Sequence, residues 1–526
     1  MRLHRVSLPL RATTSPTGSS SRTKKLHLGA SAPRHRATWR IAALHQRMRW
    51  RRLLGRIGPA ATATSTGSAS SVTDRELRSR VWSLALPAIG EQLLALGVGT
   101  SDTFLSGHLT AHAIAFLGYS QATAVACVGV ASTAAWVVMT SFFAINIGVT
   151  ALVARATGAN DRGLASRAAG QGILLGITAG LLLVLAAVPM AEVITRALGV
   201  TGQEASLVAS FIRLYSLGFP ATGIASACTA SMRGAGDARR PLCVMLFVNG
   251  INILASWTLM NGVPSLGIAP IGVLGSAIGA ATGWTLGAIV ALFLLTREHK
   301  RAPRLVRSSL RPDVALARRV LRVGLPSAAE LTVFQIGILS FLRVVVPLGA
   351  DAYAANTAIN TVESIGTLPG FGFSVATTTL VGQALGAADP DLATRAVWAA
   401  MRPCLLMVGS VGLLAGLFPR ILLGLFIADP AVLHAGDLAT RFSLITLPAC
   451  GIAFVFIGAL RGAGDTKFPV LVRAAGTWGI RVPVALLFIP LLALPGARLA
   501  MVVDYCTQAS ITYWRFRSGK WRSAKV

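Results

Sequence analysis

The chain has 526 residues, of which 53% are hydrophobic and only 13% are charged. A soluble globular protein carries about twice that share of charged residues, so the composition excludes the soluble class. The formal net charge of +30 is strongly basic, and its meaning depends on where the charges lie.

Residues 1–75 are predicted to form a disordered basic tail. Residues 1–73 contain 14 Arg and Lys and no Asp or Glu, and their abundance of Ser, Thr, Ala and Gly is typical of disorder. Three interpretations remain open. The tail is an organellar transit peptide, a basic arm for nucleic acid or anionic lipid, or upstream sequence translated from a mis-chosen start, with Met48 as the true beginning. We discount the tail for function and expect no nucleic-acid partner.

The rest of the chain alternates long apolar runs with short polar breaks. The runs are roughly 18–30 residues long, the length that crosses a hydrocarbon core of ~30 Å. Six runs form a predicted N-lobe at 79–296, a basic connector follows at 297–319, six runs form a C-lobe at 320–514, and 515–526 is a basic tail. The predicted spans are 80–106, 114–152, 168–190, 206–230, 241–261, 272–296, 320–348, 352–382, 397–419, 438–460, 468–490 and 498–514.

The loop charges test this count independently, because Lys and Arg collect in the cytoplasmic loops of membrane proteins. With twelve spans and both termini inside, the connector and the even-numbered loops hold most of the basic residues. The opposite loops hold little beyond Arg196, Arg420 and Arg498. The pattern predicts a multi-pass protein of the cell (plasma or inner) membrane, with both termini cytoplasmic.

The two halves of the chain repeat each other. "MRGAGDARRP" at 232–241 returns as "LRGAGDTKFP" at 460–469, which is 228 positions later. "ALVARATGANDRGLASRA" at 151–168 returns as "TLVGQALGAADPDLATRA" at 379–396, with the same offset. The RGAGD segments lack the strand-to-helix setting and the GK[ST] ending of a phosphate-binding loop. We therefore interpret them as structural turns and topology markers, and not as binding sites.

A third repeat has a different offset. "LPAIGE" at 86–91 returns as "LPSAAE" at 325–330, 239 positions later, so the first half has 11 extra residues, which we place in its second span. Because six spans precede the connector, both halves enter the membrane in the same direction. The sequence predicts an all-α integral membrane protein with about 12 transmembrane helices in two six-helix lobes, related by a pseudo-twofold, parallel repeat.

Short motifs recur in a characteristic order and spacing along residues 79–523. They are Pro87 with "TSDTFLSGHL" (100–109), "LVARATGA" (152–159), "RGAGD" in both halves, "PGFGFSVATTTLVGQALGA" (369–387) and "RFRSGKW" (515–521). In the order, spacing and repetition of these motifs, the chain resembles the multidrug and toxic compound extrusion (MATE) transporters, in a bacterial branch near the DinF-like group. The resemblance implies a twelve-helix, two-lobe fold that exports amphiphilic, often cationic compounds by alternating access, driven by inward Na⁺ or H⁺.

Acidic residues within the spans are the candidates for chemistry. An Asp at mid-bilayer costs roughly 2.5–3.5 kcal/mol on insertion scales, so it normally faces a cavity or a partner. Burial favours the neutral form of a carboxyl group, and a nearby cation favours the charged form, which is the behaviour that a proton or Na⁺ switch requires. Of the 19 acidic residues, five lie in predicted spans: Glu91, Asp102, Glu330, Glu363 and Asp504.

Asp102 is the first candidate for cation coupling. It lies 11 residues after Glu91, close to three helical turns, so both share one face of the first helix. Asp102 matches the family's first-helix aspartate, which the resemblance associates with cation coupling, and the alternative is an Asp that caps a helix end. The resemblance places Asn252 beside it. Archaeal members have a second Asp where this chain has Ser256, so a Na⁺ site at Asp102 and Asn252 is incomplete and protons are favoured.

Glu330 is the repeat partner of Glu91. It resembles the seventh-helix glutamate of NorM-type members, although the middle of the tenth span lacks the acid that pairs with it there. For Glu91 and Glu330, the alternative is a buried structural ion pair with Arg343 or Arg481. Arg473 and Arg481 in the eleventh span are thus candidate partners for the buried acids, and the alternative for Arg473 is a snorkelling residue at a helix end.

Glu363 and several aromatic residues are candidates for the cavity wall. Glu363 in the eighth span either lines the cavity or neutralises an arginine. Trp136, Phe142 and Phe143 either form the wall of a broad-specificity pocket or contact lipid and core. The Cys and His residues show no metal-ligand spacing, so no metal site beyond a possible Na⁺ is predicted.

These features predict a secondary active multidrug efflux transporter that antiports amphiphilic or cationic small molecules against H⁺ or Na⁺. We expect a monomer in the lipid bilayer, with no cofactor besides the coupling ion. The predicted coupling and cavity residues are Asp102, Glu91, Asn252, Glu330, Glu363 and Arg481.

Two alternatives remain open. A lipid-linked saccharide flippase of the same superfamily needs a strongly cationic central cavity, whereas the predicted in-span charges are mainly acidic. A membrane-embedded enzyme needs clustered catalytic motifs, and the HExxH and GxSxG patterns do not occur in the spans. We therefore predict that the protein is not an enzyme.

Overall fold

The computed structural model describes residues 72–297 and 303–524. Within these ranges the chain is almost entirely helical, and its only extended pairing is an isolated bridge between Val263 and Ile268. Nearly all of the predicted N-terminal tail lies outside the described residues, as do residues 298–302 of the predicted connector at 297–319.

Each predicted span corresponds to one helix or to a bent series of helices, with six on either side of the connector. The N-lobe contains α1 (Asp74–Gly107), α2 (Ala111–Leu117), α3 (Gln121–Gly158), α4 (Arg162–Ala197), α5 (Gln203–Ser216), α6 (Phe219–Gly234), α7 (Arg239–Asn261) and α8 (Val273–Thr296). The C-lobe contains α9 (Val314–Val345), α10 (Ala350–Gly386), α11 (Pro390–Leu417), α12 (Pro419–Gly424), α13 (Pro430–Arg441), α14 (Ser443–Ala463), α15 (Lys467–Ala474), a π-helical segment (Ala475–Arg481), α16 (Val482–Leu492) and α17 (Leu494–Arg517).

Several helices extend beyond the apolar runs that predicted them, because their first turns are polar and capped. Thr73 forms a capping box with Glu76 at the start of α1. Asp161 and its repeat partner Asp389 cap α4 and α11 by accepting hydrogen bonds from backbone amides three residues later, at 2.8 Å and 3.0 Å. The starts of α4 and α11 therefore correspond in the two repeats.

The extra residues of the first half overlap the start of its second predicted span, 114–152, but they do not lengthen α3, the long helix of that span. α3 and its counterpart α10 have 38 and 37 residues. The insertion instead forms α2 and its flanking turns, whereas only the short 3₁₀ turn Val346–Leu348 lies between α9 and α10.

Nine described helices are long and apolar enough to cross a membrane, or up to eleven if each of two bent pairs counts as one span. α10 and α17 do not meet this criterion. Both carry buried polar residues, Asn356 and Glu363 in α10 and Arg498, Asp504 and Gln508 in α17. Their polar faces turn towards neighbouring helices, so low hydropathy here reflects a polar lobe interior.

The lobes meet mainly along α1 and α3 of the N-lobe and α9 and α10 of the C-lobe. α1 and α9 each contain an internal proline at corresponding positions, Pro87 and Pro326. The shared surface thus lies along helices that correspond in the two repeats. These four helices contain most of the predicted site residues.

Candidate functional site

Asp102 lies in α1 inside the N-lobe, with only 3% of its surface exposed. Its Oδ1 accepts hydrogen bonds from Asn252 Nδ2 and Ser256 Oγ, both at 3.3 Å. Asn252 and Ser256 are four residues apart in α7, and therefore lie on one face of that helix. Ser101 Oγ donates to Asn252 Oδ1 at 3.3 Å, which orients the amide. The structure thus brings together the residues that the family resemblance placed side by side.

The close packing of α8 holds α7 against Asp102. A Cβ added at Gly279 would lie 2.2 Å from Ser256 Oγ, and one at Gly283 would lie 3.3 Å from Asn252 Cβ. Larger residues at these two positions would push α7 away. The hydrogen-bond geometry at Asp102 therefore depends on these glycines.

Among the described residues, Asp102 has no salt-bridge partner. Its hydrogen bonds come from a neutral amide and a neutral hydroxyl. A buried carboxylate without a cation is costly, whereas the protonated acid, or a carboxylate beside a small cation, is tolerated. The oxygen atoms of Asp102, Asn252 and Ser256 are of the type that binds Na⁺, and the same Asp can hold a proton.

Glu91 pairs with Arg233, the arginine of the first RGAGD segment, and Arg233 also donates to Asn146 Oδ1. The pair is largely buried: the side chains of Arg233 and Glu91 are 9% and 13% exposed. Glu91 therefore has a structural partner, as one of the two interpretations predicted. The partner is not Arg343 or Arg481.

Glu330 pairs in the same way with Arg461 of the second RGAGD segment, at 2.8 Å between Oε2 and Nη2. Arg473 approaches the other carboxylate oxygen at 3.8 Å. The predicted partners Arg343 and Arg481 are again wrong. The arginines of both RGAGD segments were assigned to loops, but they lie in the last turns of α6 and α14 and point into their lobes.

These two ion pairs change the interpretation of RGAGD. Arg233 and Arg461 are only 8% and 5% exposed, so they are interior residues rather than topology markers alone. The repeats contained a signal for this pairing. Glu91 and Glu330 correspond, Arg233 and Arg461 correspond, and two corresponding opposite charges in a membrane interior favour a pair.

A cavity of about 160 Å³ lies between the lobes. Five residues of its wall recur in the second repeat at the offset of 228, so the cavity straddles the pseudo-twofold axis. These five pairs are Phe143 and Phe371, Asn146 and Ser374, Ile147 and Val375, Thr150 and Thr378, and Arg233 and Arg461. Of the predicted site residues, only Glu91 lines this cavity.

Two of the three predicted wall aromatics can be placed. Phe143 lines the cavity, whereas Phe142 is 2% exposed and belongs to the N-lobe core. The side chain of Trp136 lies outside the described residues.

Glu363 belongs to a separate cluster inside the C-lobe, where it neutralises an arginine instead of lining the cavity. Its Oε2 lies 3.0 Å from Arg498 Nη1, and its Oε1 accepts from Ser443 at 2.8 Å. Arg498 also donates to the side-chain oxygens of Asn356 and Asn360 at 2.7 Å and 3.0 Å. Arg498 was predicted at the boundary between a loop and the twelfth span, and it lies in the first turns of α17 with 1% of its surface exposed.

Arg481 forms a second C-lobe pair with Asp504, at 2.7 Å between Nε and Oδ2. Gln508 Nε2 donates to the other oxygen of Asp504 at 2.5 Å. Gly476 in the π-helical segment permits this contact, since a Cβ there would lie 2.2 Å from Asp504 Oδ1. Arg481 therefore pairs with Asp504 and not with Glu91 or Glu330.

The described spans hold about as many buried arginines as acids, so the expectation of mainly acidic in-span charge is wrong. Three of these arginines, Arg233, Arg461 and Arg498, were predicted to lie in loops or at loop edges. The buried or largely buried set is Arg233, Arg461, Arg473, Arg481 and Arg498 against Glu91, Asp102, Glu330, Glu363 and Asp504. Within the described residues, no group of three or more His, Cys, Asp or Glu is arranged to hold a metal ion.

The MatE family profile matches residues 87–258 and 326–487, one match in each lobe. The chain belongs to the MatE family. It is 30% identical over 454 residues to the probable multidrug resistance protein NorM of Thermotoga maritima, a match that covers 86% of this chain and 94% of that protein. It is 23% identical over 448 residues to the uncharacterized transporter YisQ of Bacillus subtilis, covering 84% and 94%.

Solved structures show the same fold. A crystal structure of MATE in the bent conformation superposes with a TM-score of 0.76 at 19% identity, covering 85% of this chain and 98% of that one. An outward-facing multidrug resistance MATE transporter of the MOP superfamily gives 0.74 at 19% identity, covering 85% and 97%.

Membership of the MatE family confirms the resemblance and makes the chain a multi-pass membrane transporter rather than an enzyme. The predicted twelve-helix fold in two lobes is confirmed as well. The assignment to the DinF-like branch stays a prediction.

Proposed function

We propose that this MatE protein is a secondary active efflux transporter that exports amphiphilic or cationic small molecules in exchange for H⁺. The observation that carries the proposal is Asp102, a buried carboxyl group with only neutral hydrogen-bond partners in the described structure. The multidrug resistance names of similar proteins support the substrate class.

The coupling step is a change of charge at Asp102. When the carboxyl group loses its proton, Asn252 and Ser256 stabilise the anion through one hydrogen bond each, and α1 and α7 are drawn together. Protonation removes the charge and weakens these bonds. Because α1 also contacts α10 across the lobe interface, the change at Asp102 can bias the arrangement of the lobes.

The cavity on the pseudo-twofold axis is the proposed passage for substrate. Its wall combines apolar side chains with amides, hydroxyls and the Glu91–Arg233 pair, a mixture suited to amphiphilic molecules. Alternating access, the cell-membrane location, cytoplasmic termini and a monomeric state complete the proposal.

The proposal is tested with purified protein in liposomes that contain a fluorescent lipophilic cation. We expect an imposed pH gradient to drive dye movement and a Na⁺ gradient alone to drive little, because Ser256 replaces a second acid. Flux under the Na⁺ gradient alone would assign the coupling to Na⁺. The absence of flux under both gradients, in liposomes that contain folded wild-type protein, would contradict the transport proposal.

The coupling role is tested separately with Asp102→Asn. This change keeps the size and the hydrogen-bonding shape of the side chain but prevents titration, so flux should fall to the level of protein-free liposomes. Glu204→Gln, at an exposed acid of α5, is the matched control and should transport normally. Gradient-driven flux of the wild-type size in Asp102→Asn would remove the role assigned to this residue.

The flippase alternative is less consistent with the cavity. Arg233 and Arg461 do line it, but each is neutralised by a glutamate of its own lobe. A pyrophosphate-bearing lipid requires unpaired positive charge.

A further inference from the structure

The hydrogen bonds that join the lobes gather at one end of the molecule. We call it the RGAGD end and define it by the loops 159–161, 235–238, 387–389 and 464–466. There, Gln383 Nε2 at the end of α10 donates to the carbonyl oxygen of Gly234 at 2.9 Å. Arg155 Nη1 at the end of α3 donates to two carbonyl oxygens of the other lobe, that of Ala463 at 3.3 Å and that of Ala524 in the C-terminal tail at 2.9 Å. Each lobe therefore binds the RGAGD turn of the other lobe.

The two donors are repeat partners, and their acceptors differ by one residue in register. Gln383 follows Arg155 by 228 positions, and the carbonyl groups of Gly234 and Ala463 belong to corresponding last turns of α6 and α14. A third bond reinforces one side, since Thr379 Oγ1 donates to the carbonyl oxygen of Arg233 at 3.1 Å. Reciprocal contacts of this type are expected when two similar lobes close around a twofold axis.

Glycines allow the helix ends to approach closely. A Cβ added at Gly158 would lie 2.0 Å from the carbonyl oxygen of Gln383. One added at Gly386, the repeat partner of Gly158, would lie 2.1 Å from the carbonyl oxygen of Arg155. The glycine that "LVARATGA" and "LVGQALGA" share therefore permits contact between α3 and α10 in both lobes.

The RGAGD turns are themselves fixed from inside. The side chains of Arg233 and Arg461 are held in their own lobes by Glu91 and Glu330. Their helix ends offer backbone oxygens to the opposite lobe. Because both arginines also line the cavity on the pseudo-twofold axis, these contacts lie directly beside the cavity, on the side of the RGAGD end.

We propose that Arg155 and Gln383 form a reciprocal latch that closes the RGAGD end of the interlobe passage and separates in each transport cycle. The proposal rests on the transport function proposed above. Arg155 and Gln383 act as positioning residues, since they hold the lobes and contact no substrate. Both bind backbone oxygens, so closure depends on the arrangement of the lobes and not on a side-chain charge in the partner.

The latch is tested by thiol accessibility. Val375→Cys places a thiol in the cavity wall, in a protein whose six native cysteines are replaced by Ala, and a membrane-impermeant maleimide is applied to the RGAGD face of sided membrane vesicles. With Arg155→Ala and Gln383→Ala combined, we expect labelling from this face to become ~10-fold faster, because three hydrogen bonds of the closed state are lost.

The matched control is Arg167→Ala, which removes an exposed basic residue of α4 at the same end. It should leave the labelling rate unchanged. The exchange Arg155→Gln with Gln383→Arg should return the rate towards that of the wild type, because the positions are equivalent. Equal labelling rates in the latch variant and the control would overturn the proposal.

A steric variant tests the same latch from the other direction. Gly158→Val and Gly386→Val should each prevent the helix ends from meeting, and should raise labelling from the RGAGD face to similar extents. Gly129→Val in α3 is the control, since a Cβ there meets nothing within 4 Å. A rise in only one of the two variants would contradict reciprocity, and the exchange variant decides the question if the valine variants do not fold.

Accessibility is measured without substrate or ion gradient, so the outcome is independent of the transport assay. A latch that opens as expected in a protein without dye flux would contradict the proposed function and leave the latch standing. Normal dye flux with unchanged labelling would contradict the latch alone.

Discussion

The two lobes share one backbone plan but hold their buried acids differently. Asp102 in the N-lobe contacts only neutral groups. In the C-lobe, Glu330, Glu363 and Asp504 each contact an arginine. The repeat partner of Asp102 is Phe341, which is 7% exposed and belongs to the C-lobe core.

The difference separates two uses of a buried carboxylate. Glu91 and Glu330 keep the same pairing with the RGAGD arginines in both lobes, so this part of the repeat is structural. An acid paired with a buried arginine is held in its charged form, because neutralising it would leave the arginine unpaired. Only an acid with neutral partners can change its charge at a modest cost. The N-lobe therefore contains the proposed switch, and the C-lobe provides a framework.

The largest expected effect on stability is that of Asp504→Asn. The change leaves Arg481 buried, at 2% exposure, without its counter-charge. Removing one partner of a buried ion pair destabilises a protein by roughly 3–5 kcal/mol. We expect a large fall in the thermal unfolding midpoint of the detergent-purified protein. Asp391→Asn, at a side chain that is 86% exposed, is the control. Equal unfolding midpoints for both variants would show that the Asp504–Arg481 pair does not stabilise the C-lobe.

Glu363→Gln should have a smaller effect in the same direction. Arg498 loses its carboxylate but keeps the side-chain oxygens of Asn356 and Asn360 as acceptors. A hydrogen bond to a charged group contributes ~1.5–3 kcal/mol, and we expect a loss of this size in the free energy of unfolding. Thermal unfolding measures it. A loss as large as that of Asp504→Asn would show that the asparagines do not support Arg498.

The repeats and the apolar runs were sufficient to predict the fold. The offsets of 228 and 239 exposed two equivalent lobes, and the run lengths gave twelve spans. Hydropathy could not find the ends of the helices, because capped polar turns such as that of Thr73 extend them. It also could not place the insertion, since α2 is too short to resemble a span.

The site was predicted less completely. Asp102 and Asn252 were found through family resemblance, and Arg473 was predicted as a partner of the buried acids, but the closer partners of Glu91 and Glu330, Arg233 and Arg461, were missed. Arg233 and Arg461 were predicted to lie in loops, and for that reason they were not predicted as interior residues. The position of a charge within the last turn of a helix decides whether it faces loop or lobe, and sequence boundaries are not resolved to one turn.

Ser256→Ala tests the neutral environment of Asp102. The hydroxyl donates one of the two hydrogen bonds to the carboxylate. Its loss should cost ~1 kcal/mol of unfolding free energy. It should also shift the pH dependence of dye flux to higher pH, because the charged form loses a donor and the proton is held more tightly. Flux is measured over a pH series with a constant gradient. An unchanged profile would show that Ser256 does not support the anion. Thr258→Ala, in the same helix, is the control and should leave the profile unchanged, because the Thr258 hydroxyl donates to the backbone oxygen of Leu254 at 2.7 Å and not to Asp102.

Asp102→Asn should have the smallest effect on stability. Any change should raise the unfolding midpoint, whereas Asp504→Asn lowers it. Removing a buried charge that has no counter-charge leaves no arginine unpaired, and the amide retains an acceptor oxygen for Asn252 and Ser256. We expect an unfolding midpoint equal to that of the wild type or higher, measured beside Asp504→Asn under the same conditions. A fall as large as that of Asp504→Asn would mean that Asp102 is paired with a cation in the folded protein. The contrast between the lobes would then disappear, because both would hold their acids by the same buried ion pairs.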